Sequence, residues 1–74
     1  MEFDFSRLRG RIVEKCGSVS CFARKMNISD SAASYRLSNK TPWSGTEIYT
    51  AIQPDCLDID PADIPNYFFV PKVR

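Results

Sequence analysis

Residues 21–40 read CFARKMNISDSAASYRLSNK, and this stretch decides the fold. Two segments with helical periodicity flank the run MNIS at 26–29, which is too short to be an ordinary loop. Asn27 is a residue type that tolerates the left-handed backbone conformation at a helix end. Ser29 is a favoured residue for capping the next helix. We therefore predict two helices joined by a tight turn, the second of them over residues 30–38.

Start and stop signals predict a helix on each side of this pair. The first should run over residues 4–16, with Asp4 as its cap and Gly17 as its left-handed stop. The sequence SGTE at 44–47 has the spacing of a capping box, and it predicts a fourth helix that ends at residue 52 or 53.

The C-terminal part predicts one more short helix and a tail. Asp60 should cap this helix, and Pro65 should limit it to about one turn. Residues 67–70 are then expected to be extended or packed, and residues 71–74 to be frayed. The prediction is an all-α fold: a compact domain of four to five helices with a helix-turn-helix and a short extended C-terminal tail.

Length and composition favour one small globular domain. The chain has 74 residues, of which 43% are hydrophobic and 26% charged. We predict a single domain over residues 1–74 with an ordered core at about 3–70. The longest apolar run is YFFV at 67–70, and the N-terminus has no secretory pattern, so we expect a cytoplasmic protein with no membrane association.

The residue types that carry most enzyme chemistry are scarce. The chain has no histidine, and its three cysteines, Cys16, Cys21 and Cys56, form no C-x-x-C pair. Carboxylates would have to complete any zinc site, which is unfavourable. We therefore predict reduced structural thiols, no metal, no cofactor, no small-molecule ligand, no catalytic residue and no enzymatic activity.

Charge is unevenly distributed along the chain. Residues 1–44 carry eight Lys or Arg and four Asp or Glu, a net charge of +4. Residues 45–74 carry two Lys or Arg and five Asp or Glu, a net charge of −3. A basic front half and an acidic back half are typical of a surface that meets a polyanion on one side only.

The order of these segments resembles the lambda-type repressor and Cro helix-turn-helix family. The resemblance is carried by FDFSRLRGRIVEKCG, CFARKMNIS, YRLSNK, EIYTAI and DIPNYFF, and it covers roughly residues 3–70. It is closest to small phage Cro-like proteins. Asn27 stands where the family pattern has Gly, and Ala33 stands where a larger aliphatic residue fills the core.

The resemblance implies a phage or prophage Cro-like repressor that places its third helix in the major groove. The implied partner is double-stranded operator DNA with an inverted repeat. The implied DNA contacts are Ser29, Asp30, Ser31, Ala32, Ser34, Tyr35, Ser38, Asn39 and Lys40.

Two further expectations concern protein partners. Such a regulator should form a weak homodimer, and the candidate contacts are Tyr67, Phe68, Phe69 and Val70, because four adjacent apolar side chains cannot all point inward from an extended segment. The alternative function is a protein-interaction module, such as an antirepressor, built on the same fold. Selection from random DNA separates the two, since a pure protein-interaction module selects no sequence.

Overall fold

The computed structural model describes residues 2–72, and their backbone is largely helical. The helices are α1 (Ser6–Cys16), α2 (Val19–Met26), α3 (Asp30–Leu37), α4 (Gly45–Ala51) and α5 (Ile64–Phe68), with one 3-10 turn at Pro61–Asp63. Over residues 2–72 no strand forms, although an isolated antiparallel bridge joins Phe3 to Pro71. The predicted all-α class is confirmed.

Each helix turns one apolar face toward a single core. On α1, Leu8 and Ile12 are separated by one helical turn and are fully buried. The indole of Trp43 packs against the outer edge of this core, with its ring centroid 5.1 Å from that of Phe68. The buried hydrophobic residues are Phe5, Leu8, Ile12, Phe22, Ala23, Met26, Ala33, Leu37, Ile48, Ala51, Ile52, Cys56, Leu57, Ile59 and Phe68.

The packing of the helices determines which side of α3 is free. Helix α2 packs against both α1 and α3, and α1 also packs against α5. Ala33 and Leu37 turn the inner side of α3 into the core. The opposite side of α3 therefore faces solvent.

Three helix boundaries lie one or two residues from the approximate positions that the sequence predicts. Helix α1 begins at Ser6 and not at Asp4, because Phe5 occupies the cap position and its ring is drawn into the core. The Asp4 carboxylate still accepts hydrogen bonds from the Ser6 N–H (2.9 Å) and hydroxyl (2.6 Å). Helices α3 and α4 end at Leu37 and Ala51, slightly before the predicted positions.

The C-terminal segment differs most from the prediction. Pro65 does not end a helix but lies in the first turn of α5, where its missing N–H has no intrahelical partner to lose. Residues 67–68 are therefore helical and not extended. The Lys72 N–H donates to the Glu2 carbonyl at 3.1 Å, while the fraying expected for residues 71–74 stays a prediction. Residues 73–74 lie outside the part of the chain that the structure describes.

The loop between α4 and the 3-10 turn is held by a side chain from α1. Asp58 has a left-handed backbone, with φ of 51°. The Arg11 guanidinium donates to the Leu57 carbonyl at 2.9 Å and to the Asp58 carbonyl at 2.7 Å. These bonds satisfy carbonyls that the loop itself leaves without partners, and they fix the loop against α1.

No helix over residues 2–72 is both long and apolar enough to cross a membrane.

Candidate interaction face on helix α3

The turn between α2 and α3 has helix-turn-helix geometry. Asn27 ends α2 with φ of 59°, as predicted. The Ile28 N–H donates back to the Ala23 carbonyl at 3.0 Å, and Ile28 packs against the core. The Ser29 hydroxyl then caps α3 by accepting the Ala32 N–H at 3.0 Å. The three-residue turn thus fixes the angle at which α3 leaves α2.

Five of the predicted site residues project from the protein around α3. Ser31, Ser34 and Tyr35 are exposed on its outer side, and Tyr35 is 48% exposed. Lys40 follows the helix and places its ammonium 5.4 Å from the centre of the Tyr35 ring, within cation–π range. Asp30 stands at the start of the helix. We call Asp30, Ser31, Ser34, Tyr35 and Lys40 the α3 face.

The other predicted site residues already have partners within the fold. Ser29 is occupied as the cap. The Ser38 hydroxyl donates to the Ser34 carbonyl at 2.8 Å, and Ala32 is half-buried. Within the α3 face, Asp30 also has a partner, because its carboxylate accepts a hydrogen bond from the Ser20 hydroxyl at 3.0 Å. The Asp30 carboxylate adds negative charge near the start of α3, where a helix N-terminus could otherwise attract a phosphate.

Asn39 holds the N-terminal segment by two hydrogen bonds, which we call the Asn39 clamp. Its φ is 66°, and its side chain bonds to both backbone groups of Phe3. The Asn39 amide donates to the Phe3 carbonyl at 3.0 Å, and the Phe3 N–H donates to the Asn39 amide oxygen at 2.9 Å. This pair fastens the N-terminal segment to the end of α3.

Asn39→Gly is expected to lower the free energy of unfolding by about 1–2 kcal/mol, because glycine keeps the left-handed backbone but loses both hydrogen bonds. Urea unfolding measures the loss. The matched control is Asn27→Gly, a left-handed position whose exposed side chain makes no such bond among the described residues. Equal losses at the two positions would contradict the clamp.

Arg36, the single basic residue of α3, is withdrawn from the surface. Its guanidinium donates to the Ala32 carbonyl at 2.9 Å and forms an ion pair with Glu47 at 2.6 Å, and both side chains are only 18% exposed. The Arg36 guanidinium is therefore not free on the outer side of α3. The signal that could have revealed the pair is the Glu of the predicted capping box, which fixes a carboxylate at the start of α4.

The Glu47 carboxylate takes part both in the capping box of α4 and in the ion pair with Arg36. It accepts the Ser44 N–H at 3.0 Å, and the Ser44 hydroxyl accepts the Glu47 N–H at 3.2 Å, so the capping box predicted from the sequence is confirmed. The Arg36 guanidinium lowers the pKa of Glu47 below its ordinary value, and the bond from the Ser44 backbone adds to this.

We expect Glu47→Gln to lower the free energy of unfolding at pH 7 by about 1–2 kcal/mol relative to wild type. Because the folded pKa is lowered, the carboxylate contributes stability above its unfolded pKa and loses it as the pH falls through the folded value. The gap should therefore narrow as the pH falls below the ordinary pKa of a glutamate carboxyl. Urea unfolding over a descending pH series checks this, and a gap that is constant with pH would contradict it.

The predicted dimer residues divide between the core and the surface. Phe68 is buried and Tyr67 packs against the core, so both side chains contribute to the core of this domain. Phe69 is 46% exposed, and its ring meets that of Phe3 edge-on with centroids 5.6 Å apart. Val70 is half-buried, and its carbonyl accepts the Asp4 N–H at 2.7 Å. Phe69 therefore supplies the exposed aromatic side chain that the sequence predicts in this segment.

An apolar cleft opens beside Phe69. It has a volume of about 180 Å³ and is lined mainly by Phe3, Phe5, Trp43, Phe68 and Phe69. Arg36 forms part of its wall.

The exposed cations lie mostly outside α3. They are Arg7, Arg9, Lys15, Arg24, Lys25, Lys40 and Lys72. The α3 face itself has one carboxylate, from Asp30, and one ammonium, from Lys40, so its formal charge is zero. The basic front half of the sequence therefore does not make the outer side of α3 basic.

The three thiols are unpaired, and one of them is buried in the core. Cys16, Cys21 and Cys56 are free, and burial raises the pKa of the Cys56 thiol to about 11. A thiol that stays protonated at neutral pH is a poor nucleophile and a poor metal ligand. Within the described residues, no group of three or more Cys, Asp or Glu side chains could hold a metal ion.

A solved structure and a protein-family model each match nearly the whole chain. The solution structure of the modulator of repression (MOR) of the temperate bacteriophage TP901-1 from Lactococcus lactis has 42% sequence identity and a TM-score of 0.81. The match covers 100% of this chain and 97% of the phage protein. No curated protein matches. Neither the structural match nor the family match names lambda-type repressors, so that resemblance remains a prediction. The family model described as "Protein of unknown function (DUF739)" matches residues 1–71, and the chain therefore belongs to the DUF739 family.

Proposed function

We propose that this protein is a small phage regulator that acts by binding another regulatory protein, as an antirepressor does. Its similarity to a modulator of repression extends over the full chain at 42% identity. A protein that modulates repression needs a contact with the repressor or with its DNA, and the charge of the α3 face distinguishes these possibilities.

The observation that carries the proposal is the absence of outward positive charge on α3. DNA-binding proteins obtain most of their affinity from Lys and Arg contacts to phosphate. Here the basic residue of the helix, Arg36, is paired with Glu47, and Asp30 places a carboxylate at the helix start. A neutral face of small hydroxyls around one aromatic side chain suits a protein surface better than a phosphate backbone.

Tyr35 is the proposed anchor of this interaction. Tyrosine is enriched among the residues that dominate the binding energy of protein interfaces. Ser31 and Ser34 are small, so a partner can approach the helix closely around the ring. Lys40 stacks on Tyr35 and limits its motion, which reduces the entropy lost on binding.

The second candidate is the Cro-like repressor that the sequence resemblance implies. The helix-turn-helix geometry favours it, because α3 is exposed along the side that would enter a major groove. Under this function an inverted-repeat operator would bind two copies, and Phe69 would contribute to their contact. A homodimer and the lack of enzymatic activity remain predictions, and both are compatible with either function.

Selection from a randomised duplex library tests the choice. We expect the purified protein to enrich no sequence at about 100 mM salt, because any non-specific contacts carry no sequence information. Immobilised DNA-binding domain of a phage repressor, offered in parallel, should retain the protein. Enrichment of an inverted repeat would instead establish the Cro-like function.

A further inference from the structure

We propose that Glu47 determines the class of partner by withholding Arg36 from the α3 face, so that the helix cannot hold a DNA phosphate. This rests on the proposed function, since it explains why a helix-turn-helix fold would bind a protein in preference to DNA. The contact joins the outer helix of the helix-turn-helix to the start of α4.

Arg36 lies between the outer side of α3 and the start of α4. It directly follows Tyr35 in α3 and lies one turn beyond Ala32, on the flank of the exposed side. Its side chain folds back along the helix to bond to the Ala32 carbonyl, and its other terminal nitrogen meets the Glu47 carboxylate. The Nε–H is buried without an acceptor among the described residues. Burial of an N–H without an acceptor is unfavourable, so the bonds to Ala32 and Glu47 must hold the Arg36 side chain in this position.

Glu47 is fixed independently of Arg36. Its second carboxylate oxygen accepts the Ser44 N–H, and its own N–H donates to the Ser44 hydroxyl. The carboxylate therefore cannot follow the guanidinium outward without breaking the capping box. The ion pair can open only if Arg36 leaves alone, which exposes the carboxylate to water without its partner.

The pair uses the part of arginine that binds phosphate. Carboxylate and phosphate compete for the same fork of N–H donors, so a guanidinium bonded to Glu47 has fewer donors for a DNA backbone. The other charged groups near the outer side of α3 are Asp30, which repels phosphate, and Lys40, which attracts it. Release of Arg36 would give this side a net positive charge.

The test compares two Glu→Gln variants. Glu47→Gln removes the charge that holds Arg36, while the amide oxygen can still accept the Ser44 N–H. Glu14→Gln changes the net charge equally and also breaks an Arg–Glu pair, at 2.9 Å. Arg11 nevertheless remains bonded to the Leu57 and Asp58 carbonyls, so the control should release no arginine. Fluorescence anisotropy with a labelled duplex of random sequence gives the affinity and its salt dependence.

We expect Glu47→Gln to raise affinity for this duplex at least about threefold at low salt, with a log–log salt slope steeper by about 0.9, equivalent to one phosphate contact. Glu14→Gln should match wild type. Glu47→Gln combined with Arg36→Gln should lose the gain. An unchanged slope in Glu47→Gln, an equal gain in Glu14→Gln, or a gain that persists in the double variant would overturn the proposal.

Arg36→Gln in the wild-type background gives a second test that does not depend on the folding of Glu47→Gln. A withheld arginine contributes nothing to DNA affinity, so this variant should bind the duplex as wild type does. A shallower salt slope would show that Arg36 already contacts phosphate and would overturn the proposal.

Binding to an immobilised repressor domain is measured separately and tests the proposed function. If the wild-type protein does not bind this domain while Glu47→Gln gains DNA affinity through Arg36, the proposed function is wrong and this inference stands.

Discussion

Phe68→Ala is expected to lower the free energy of unfolding by about 3–5 kcal/mol. Phe68 is 1% exposed, and its ring meets the Trp43 indole edge-on at 5.1 Å. Removing the ring leaves a cavity beneath α5 that the short helix cannot fill by shifting, because Pro71 and Lys72 tie its far end to the N-terminal segment. A domain of this size has only about 5 kcal/mol of stability, so the variant should be partly unfolded at 25 °C.

The matched control is the next residue, Phe69→Ala. Its side chain is 46% exposed, and the loss should be about 1 kcal/mol or less. Circular dichroism during thermal and urea unfolding measures both variants. Similar losses for Phe68→Ala and Phe69→Ala would contradict the assignment of one side chain to the core and the other to the surface.

Tyr35→Ala is expected to weaken binding to the repressor domain by about 1–3 kcal/mol, roughly 5- to 150-fold in Kd, with the fold unchanged. Tyr35 is half-exposed and turned away from the core, so truncation removes contact area from the α3 face without opening a cavity. Isothermal titration calorimetry gives the affinity, and unfolding curves confirm that stability is retained.

Tyr49→Ala controls for the loss of an exposed tyrosine as such. Tyr49 lies on α4 and is 66% exposed, outside the α3 face. It should bind the repressor domain as wild type does. If Tyr49→Ala weakened binding while Tyr35→Ala did not, the partner would contact α4, and the assignment of the site to α3 would be wrong.

Local signals predicted the helix-turn-helix because each acts over a few residues. The left-handed Asn27, the capping hydroxyl of Ser29 and the capping box of Ser44 and Glu47 are all satisfied by neighbours in the sequence. Such interactions depend little on the rest of the chain, so they can be predicted without knowledge of the tertiary structure.

The features that the sequence did not predict depend on contacts between distant segments. Pro65 has the same missing N–H whether it ends a helix or begins one, and the burial of Phe68 against Trp43 decides between these outcomes. Asn39 is a residue type that is typical of a helix end, and it does follow the end of α3. Its residue type does not reveal its hydrogen bonds to Phe3.

The composition of the candidate site was predicted better than its charge. Exposure of Ser31, Ser34 and Tyr35 follows from helical periodicity, and the structure agrees. The basic front half suggested a cationic face, but counting charges along the sequence cannot show that Arg36 is paired with Glu47. The ion pair between α3 and α4 is therefore the reason why we propose a protein partner, where the sequence alone favours DNA.

We propose that the α3 face binds a regulatory protein and not DNA. The most direct test follows the anisotropy of labelled operator DNA saturated with a phage repressor while this protein is added. We predict that the anisotropy falls to the value of free DNA, and that the protein alone leaves the labelled DNA unchanged at about 150 mM salt, where non-specific phosphate contacts are weak. An anisotropy that rises when the protein alone is added, together with a repressor complex that stays intact, would contradict the account.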